Sequence, residues 1–226
     1  MTKRSAAKPG LTVERIVEAA AAVADREGLL GVSMRSVGRE LGVEAMSLYH
    51  HVEAKEALLD HLADWLMAQI EHPAPDGEWR TGLATRARSS RALLRSHPWG
   101  SSLLESRRTP GPAVLAGHEA VLAALRAGGF SVRLAGHVFS VLDAYVYGFV
   151  GTEQQLPFEP GAADAMIEQL QLPADRFPAM AAFVAELVIG KDYDYGDEFE
   201  WGLELVLDGF AVRLDEERAR ASGAVR

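Results

Sequence analysis

The sequence predicts an all-α fold with a small three-helix head followed by a larger helical body. Apolar residues recur at helical spacing through most of the chain, and no segment shows the strict alternation typical of a half-buried strand. Capping residues, glycines and prolines lie between the segments with helical periodicity and indicate where the helices begin and end. We expect the head to span residues 1–60 and the body to span residues 61–226.

The head begins with a basic segment and one amphipathic helix. Residues 1–10, MTKRSAAKPG, carry three cations and no acid, which predicts a disordered arm that either contacts phosphates or only aids solubility. A helix follows, with Thr12 as its N-cap and Gly28 at its C-terminal end. This helix has a structural role in the prediction, because its apolar face supports the two helices that come next.

The stretch SMRSVGRELGVEAMSLYHHVEAK at 33–55 predicts two short helices joined by a tight turn. Ser33 is suited to cap the first helix, and Gly42 supplies the left-handed conformation that ends it. The apolar positions are Met34, Val37 and Leu41 in the first helix and Val43, Leu48 and Val52 in the second. A glycine turn followed by a helix with a polar exposed face is typical of a DNA-binding helix-turn-helix, although an ordinary helical hairpin shares the pattern.

This region resembles the tetracycline-repressor (TetR) family of transcription regulators. The matching segments are SMRSVGRELGV at 33–43, LYHHV at 48–52, and Lys55 followed by Ala57-Leu58-Leu59-Asp60. The similarity is close over the head and fainter near the C-terminus. It implies a homodimer in which two heads bind a palindromic DNA site and the bodies bind a small-molecule effector.

The predicted DNA contacts lie on the second helix of the pair and beside it. The resemblance places residues 45–51 at the DNA, where Ala45 and Met46 offer apolar contact to thymine methyl groups. Arg35 and Lys55 flank this helix and are expected to anchor phosphates. The predicted DNA-binding residues are Ser33, Arg35, Ala45, Met46, Ser47, Tyr49, His50, His51 and Lys55.

The charge distribution is compatible with this assignment. The whole chain has a net charge of −9, which by itself argues against a nucleic-acid partner. Residues 1–56, however, contain 8 basic and 8 acidic residues, so the remainder of the chain carries the entire negative charge. A neutral head on an acidic body fits a protein that approaches DNA with its head.

The body is predicted to be helical throughout. A connecting helix at 54–72 and a loop at 71–78 precede it, and the further helices are expected at 79–96, 99–106, 113–127, 131–155, 163–170, 173–189 and 199–220. Gly202 and Gly209 lie seven residues apart on one face of the last helix, which suggests a close approach of another helix. The resemblance implies a four-helix dimer interface made by helices near 131–155 and 199–220, with packing inside one chain as the alternative.

The sequence lacks the patterns of a catalytic site. It contains no cysteine, no HxH or HExxH pair, no phosphate-binding loop and no GxSxG, so neither an enzyme nor a metal or other cofactor is predicted. The body is instead expected to hold an effector between its helices. The candidate effector-binding residues are His97, Trp99, His118, Asp143 and Tyr147.

The prediction is therefore a cytoplasmic, ligand-responsive repressor that acts as a homodimer on double-stranded DNA. No apolar run is judged long enough to span a membrane, and no signal peptide is recognised. Two alternatives stay open at this point. One is a helical small-molecule-binding protein without DNA-binding activity, and the other is a helical enzyme that uses the histidines of the body.

Overall fold

The structure is a computed structural model that describes residues 10–158, 162–170 and 172–223. The described residues form helices and turns without a β-strand, which confirms the predicted all-α fold. The predicted disordered arm lies outside them, except for Gly10. The α-helices are α1 (Val13–Glu27), α2 (Met34–Leu41), α3 (Ala45–Leu48), α4 (Lys55–Met67), α5 (Trp79–Ser96), α6 (Gly100–Ser106), α7 (Pro112–Ala127), α8 (Val132–Glu153), α9 (Ala163–Leu170), α10 (Pro178–Phe183) and α11 (Glu198–Gly223).

The chain divides into two compact units, and each is made from more than one stretch of sequence. Unit 1 contains the described residues up to His72 together with Ala92–Val121, and unit 2 contains Pro73–Arg91 and the described residues from Leu122 onward. Helices α5 and α7 therefore begin in one unit and end in the other. The predicted functional division near residue 60 stays a prediction.

Helix α1 forms the base of the head in unit 1. The Thr12 hydroxyl accepts a hydrogen bond from the Arg15 amide at 3.4 Å, and Gly28 ends the helix at a φ of 72°. Ile16, Ala20 and Val23 on its inner face are completely buried, and the helix contacts both α2 and α4. The apolar stripe in the sequence thus becomes the core that positions the next two helices.

Local sequence signals fix both ends of α2. The Ser33 and Ser36 side chains each accept a hydrogen bond from the other residue's amide, at 3.1 and 2.9 Å, which is a reciprocal capping box. Gly42 ends the helix in the left-handed conformation, at a φ of 68°. Gly38 adds a tertiary constraint, since a Cβ there would lie 3.0 Å from the Val43 carbonyl oxygen and 3.2 Å from the Ala45 amide. The backbone of α2 therefore passes directly against the start of α3.

The second helix of the pair is shorter than the sequence predicted. Helix α3 ends at Leu48, and the segment up to His51 continues as a hydrogen-bonded turn. The assignment of Val43 to the apolar stripe is wrong, because Val43 lies in the interhelical turn with 37% of its surface exposed. Leu48 and Val52 are buried as predicted, whereas Leu41 is only half-buried.

Unit 2 is organised around α8 and α11, which pack against each other. The Ser131 hydroxyl caps α8 through the Leu134 amide and donates to the Glu217 carboxylate on α11 at 2.6 Å. The hydrogen bonds that the Ser131 hydroxyl and amide donate to Glu217 hold the pKa of that carboxylate below its ordinary value. Helix α5 is joined to the same pair by ion pairs, with Arg91 bonded to Glu153 on α8 and Arg88 bonded to Glu200 on α11.

Most of the predicted body helices are present with shifted ends. Helix α10 begins at Pro178 rather than after Pro173, and a π-helical segment at Val184–Val188 continues it. Among the described residues, α8 is by length and composition alone apolar enough to cross a membrane, a test that core helices of soluble proteins also pass. Its inward face contributes Val138, Leu142 and Val146 to the core of unit 2.

Candidate nucleic-acid interface and effector site

The exposed surface from Ala45 to His51, here called the recognition surface, combines one large apolar side chain with three polar ones. Met46 is 72% exposed and Tyr49 is 45% exposed, and His50 and His51 are also exposed. Ala45 and Ser47 are half-buried on the same segment. The recognition surface can therefore offer apolar contact and hydrogen bonds to a groove.

The recognition surface rests on a rigid support. Leu48 and Val52 are buried beneath it, and the Leu48 carbonyl oxygen accepts hydrogen bonds from the His51 and Val52 amides, both at 2.9 Å. These bonds fold the chain tightly after α3. Both histidines therefore point into solvent from a turn, and not from a continuous helix as predicted.

Four of the described cations of the head, Arg26, Arg35, Arg39 and Lys55, fall into two groups. Arg26 pairs with Glu40 at 2.9 Å, and Arg39 lies 3.7 Å from Glu27, so the charges of these arginines are balanced within the head. The predicted phosphate anchors Arg35 and Lys55 are exposed, and the structure shows no hydrogen bond or ion pair for either within its described residues. Their charges are thus available to an external anion.

The acidic residues Glu56 and Asp60, which follow Lys55, are partly neutralised. Arg107, which follows α6, lies 3.0 Å from the Glu56 carboxylate and 3.2 Å from that of Asp60. The first turns of α4 would otherwise present two carboxylates beside the recognition surface. This arrangement lowers the repulsion of a phosphate backbone and also ties α4 to α6.

Ser33 sits differently from the other predicted DNA contacts. It is half-buried and its hydroxyl is engaged in the capping box of α2. The structure therefore shows a structural role for Ser33, and its DNA contact stays a prediction together with those of the other eight residues.

Two of the predicted effector-binding residues, His97 and Trp99, lie in unit 1 and converge on Asp25 of α1. One carboxylate oxygen of Asp25 lies 2.7 Å from His97 Nδ1 and accepts a hydrogen bond from Trp99 Nε1 at 2.6 Å. The His97 ring also packs edge-on against Trp65. This cluster links α1, α4 and the turn between α5 and α6. His118 is half-buried on α7 in the same unit.

The other two predicted effector-binding residues, Asp143 and Tyr147, lie on α8 in unit 2. Asp143 accepts a hydrogen bond from Arg86 of α5 at 2.6 Å. Burial, followed by the nearby Asp143 carboxylate, raises the pKa of Tyr147 to about 12. Three of the five candidates thus belong to unit 1 and two belong to unit 2.

Sequence reasoning missed Arg86 and Ser90 on α5. Their side chains are only 2% and 3% exposed, and they lie within the buried stripe of Leu83, Ala87 and Leu94. The sequence carried a usable signal, since both positions share the helical spacing of that apolar stripe. They were overlooked because arginine and serine are commonly surface residues.

The comparisons with known proteins agree with this architecture. Residues 16–62 match the family model described as bacterial regulatory proteins of the tetR family, and residues 72–214 match the tetracyclin repressor-like C-terminal domain. The chain is 37% identical to the HTH-type transcriptional repressor DrrR1 of Streptomyces coeruleorubidus, over 95% of this chain and 83% of the relative. It is 31% identical to the class A tetracycline repressor protein from transposon 1721 of Escherichia coli, over 88% and 89% of the two chains.

The solved structures that resemble this chain also belong to TetR family proteins. The Streptomyces coelicolor TetR family protein ActR in complex with (S)-DNPA aligns with a TM-score of 0.74 and 30% identity, over 89% of this chain and 98% of that one. The ActR complex with actinorhodin aligns with a TM-score of 0.72 and 30% identity, over 91% and 99%. The chain belongs to the tetracycline-repressor family. It is accordingly a DNA-binding transcription regulator that acts as a dimer and responds to a small-molecule ligand.

In this TetR family member, the predicted dimer helices α8 and α11 enclose an apolar groove of about 450 Å³. Its lining residues are Leu134, His137, Val138, Val141, Leu205, Val206, Gly209, Phe210 and Arg213. The two glycines of α11 have different surroundings. A Cβ on Gly202 would lie 2.5 Å from the Tyr145 hydroxyl of the same chain, whereas no atom of the described residues lies within 4 Å of a Cβ on Gly209. The space beside Gly209 is therefore open to a second copy of the chain.

Proposed function

We propose that this protein is a cytoplasmic repressor whose homodimer binds a palindromic operator and leaves it when an effector binds. The observation that carries the proposal is the recognition surface with its two uncommitted cations, Arg35 and Lys55, in a member of the TetR family. Met46, Ser47 and Tyr49 read base edges in this proposal, and His50 and His51 donate to phosphates. We further propose that residues 1–60 form the functional DNA-binding domain and that the chain has no catalytic activity.

The names of the relatives support repression as the sense of regulation. Proteins named as repressors match most of the chain, including DrrR1 and the class A tetracycline repressor protein. The ActR structures contain (S)-DNPA and actinorhodin, so this protein too is proposed to bind a small organic effector. Any ligand can shift an equilibrium only through its different affinity for the DNA-bound and DNA-free states.

The proposed DNA contacts are tested with the DNA that flanks the gene of this protein. Footprinting on that DNA should show two protected half-sites, whose centres lie about 34–36 Å apart or a multiple of that distance. Arg35→Ala and Lys55→Ala should each weaken binding to all sequences and lower the salt slope by about one unit, because each removes one phosphate contact.

Arg108→Ala is the matched control, since Arg108 is an exposed arginine outside the head. It should change neither the affinity nor the salt slope. Unchanged binding by both the Arg35 and Lys55 variants would contradict their phosphate roles. The absence of any protected site, with a folded dimer, would contradict the repressor proposal itself.

A further inference from the structure

Two buried polar groups on α5 lack hydrogen-bond partners in the described structure. They are Arg86 Nε and Ser90 Oγ, and both atoms are shielded from solvent. A buried polar group without a partner typically costs about 1–3 kcal/mol, so such groups in a native structure need an explanation. Because the two residues lie one helical turn apart, their side chains lie on the same face of α5.

The facing surface of α8 presents aromatic rings on either side of a carboxylate. Phe139, Asp143 and Tyr147 follow one another at four-residue spacing, so they share one face of α8. Asp143 bonds to Arg86, and the Arg86 guanidinium also lies 5.8 Å from the centre of the Phe139 ring. Phe139 and Tyr147 are both half-buried, and access of a ligand to the covered groups requires a rotamer change of one of these rings.

The charge balance of this cluster selects the chemical class of the ligand. The positive charge of Arg86 is already matched by Asp143 at 2.6 Å. A ligand carboxylate placed here would be repelled by Asp143, and it would lose its hydration without a cation of its own. A neutral acceptor, in contrast, can take hydrogen bonds from Arg86 Nε and Ser90 Oγ without adding charge.

We infer that Arg86, Ser90, Phe139, Asp143 and Tyr147 form the effector-recognition site of unit 2, and that the effector is a neutral aromatic compound bearing a carbonyl oxygen. The carbonyl oxygen accepts from Arg86 Nε and Ser90 Oγ, and the ring packs against Phe139 and Tyr147. This inference rests on the proposed function in one respect, namely that occupation of the site regulates DNA binding.

The ligand class is tested with three probes that share one ring system: fluorenone, fluorene and fluorene carboxylate. Binding to the full-length dimer is measured by calorimetry or by quenching of intrinsic fluorescence. Fluorenone should bind at least about 10-fold more tightly than fluorene, because only the ketone satisfies the two donors. Fluorene carboxylate should bind no more tightly than fluorene.

The residue assignment is tested with Ser90→Ala and with Ser89→Ala as the matched control. Ser89 is the adjacent, half-buried serine, and it points about 100° away around the helix. Ser90→Ala should remove most of the preference for fluorenone over fluorene, and Ser89→Ala should keep it. Circular dichroism melting confirms that both variants are folded.

Each of three results would overturn the inference. These are tightest binding of the carboxylate, an unchanged fluorenone preference in Ser90→Ala, and no detectable binding of any probe. A separate gel shift with operator DNA distinguishes these results from failure of the proposed function. DNA binding without probe binding would refute the effector-recognition site and leave the repressor proposal intact. Probe binding without DNA binding would refute the repressor proposal and leave the site intact.

Discussion

At the scale of single residues, Tyr147 connects the effector-recognition site to a measurable pH dependence. Burial raises its pKa to about 12, and burial likewise raises that of Tyr145 to about 12. A raised pKa in the folded state means that the associated stability is fully present below the unfolded pKa of about 10. It is lost as the pH rises from about 10 to 12, because the unfolded chain ionises first.

We therefore expect the phenolate absorbance of the native protein to show a late phase near pH 12. Tyr147→Phe should remove one tyrosine from that phase and should reduce the loss of stability above pH 10, by about 1 kcal/mol per pH unit. Spectrophotometric titration and denaturant melts measure the two effects. Ionisation of all five tyrosines in one step near pH 10 would show that Tyr147 is not buried as described.

At the scale of elements, Gly38 determines how α2 meets α3. A Cβ at this position would lie within 3.0–3.3 Å of backbone atoms of Val43 and Ala45, which cannot rotate away as a side chain can. Gly38→Val should separate the two helices, lower the melting temperature of the head and reduce operator affinity at least about 10-fold.

Gly136→Ala is the control for Gly38→Val, since a Cβ at Gly136 on α8 would meet no atom of the described part of the chain within 4 Å. Alanine should be tolerated or slightly stabilising there, by up to about 1 kcal/mol, because it is the better helix former. Equal melting temperatures and equal DNA affinities for the Gly38 variant and wild type would mean that the head tolerates a wider helix separation.

The dimer helices provide a second prediction at this scale. Gly209 lines the groove between α8 and α11, and its surroundings within one chain are open, so a large side chain would fit a single protomer. Gly209→Trp should leave the protomer folded and shift the protein from dimer to monomer in light scattering. Gly202→Ala is expected to act differently, by disturbing the packing of Tyr145 within one protomer. If the Gly209→Trp variant remains a dimer, α11 does not contribute to the dimer interface.

At the scale of the whole molecule, the question is how effector binding alters DNA binding. Helix α5 carries Arg86 and Ser90, and it ends immediately before His97 and Trp99, which bond to Asp25 of α1 in the head. We therefore expect a displacement of α5 by a ligand to disturb the bonds that His97 and Trp99 make to Asp25. The contacts of α4 with Arg107 and with the N-terminus of α7, which Asp64 caps, offer parallel connections.

Asp25→Ala is expected to weaken this coupling while operator binding persists. Allosteric coupling typically changes affinity by 5–150-fold, so we expect the ratio of operator affinities without and with effector to fall by at least about 5-fold. Glu18→Ala, an exposed acid on the same helix, is the control. Gel shifts with and without a bound probe measure the ratio, and an unchanged ratio for Asp25→Ala would exclude this route.

Local sequence patterns predicted much of the head correctly. The capping residues Thr12 and Ser33 and the left-handed Gly42 occupy their predicted places, because each acts on hydrogen bonds within a few residues of itself. Gly38 was overlooked, since its role depends on a neighbouring helix and not on its own. For Gly202 the pattern predicted a close approach of another helix, and the structure places Tyr145 of α8 from the same chain against it.

The sequence by itself determined the helical fold, the helix-turn-helix and the family to which the chain belongs, since these depend on spacing and short-range bonding. Only the tertiary structure decided which charges are neutralised and which polar groups are left without partners. Arg35 and Arg39 look equivalent in sequence, yet among the residues that the structure describes an acid from another helix forms an ion pair with Arg39 alone. The proposed role of Arg86 and Ser90 likewise depends on their burial against α8. Pairing and desolvation depend on groups distant in the chain, and the spacing of residues along one helix does not encode them.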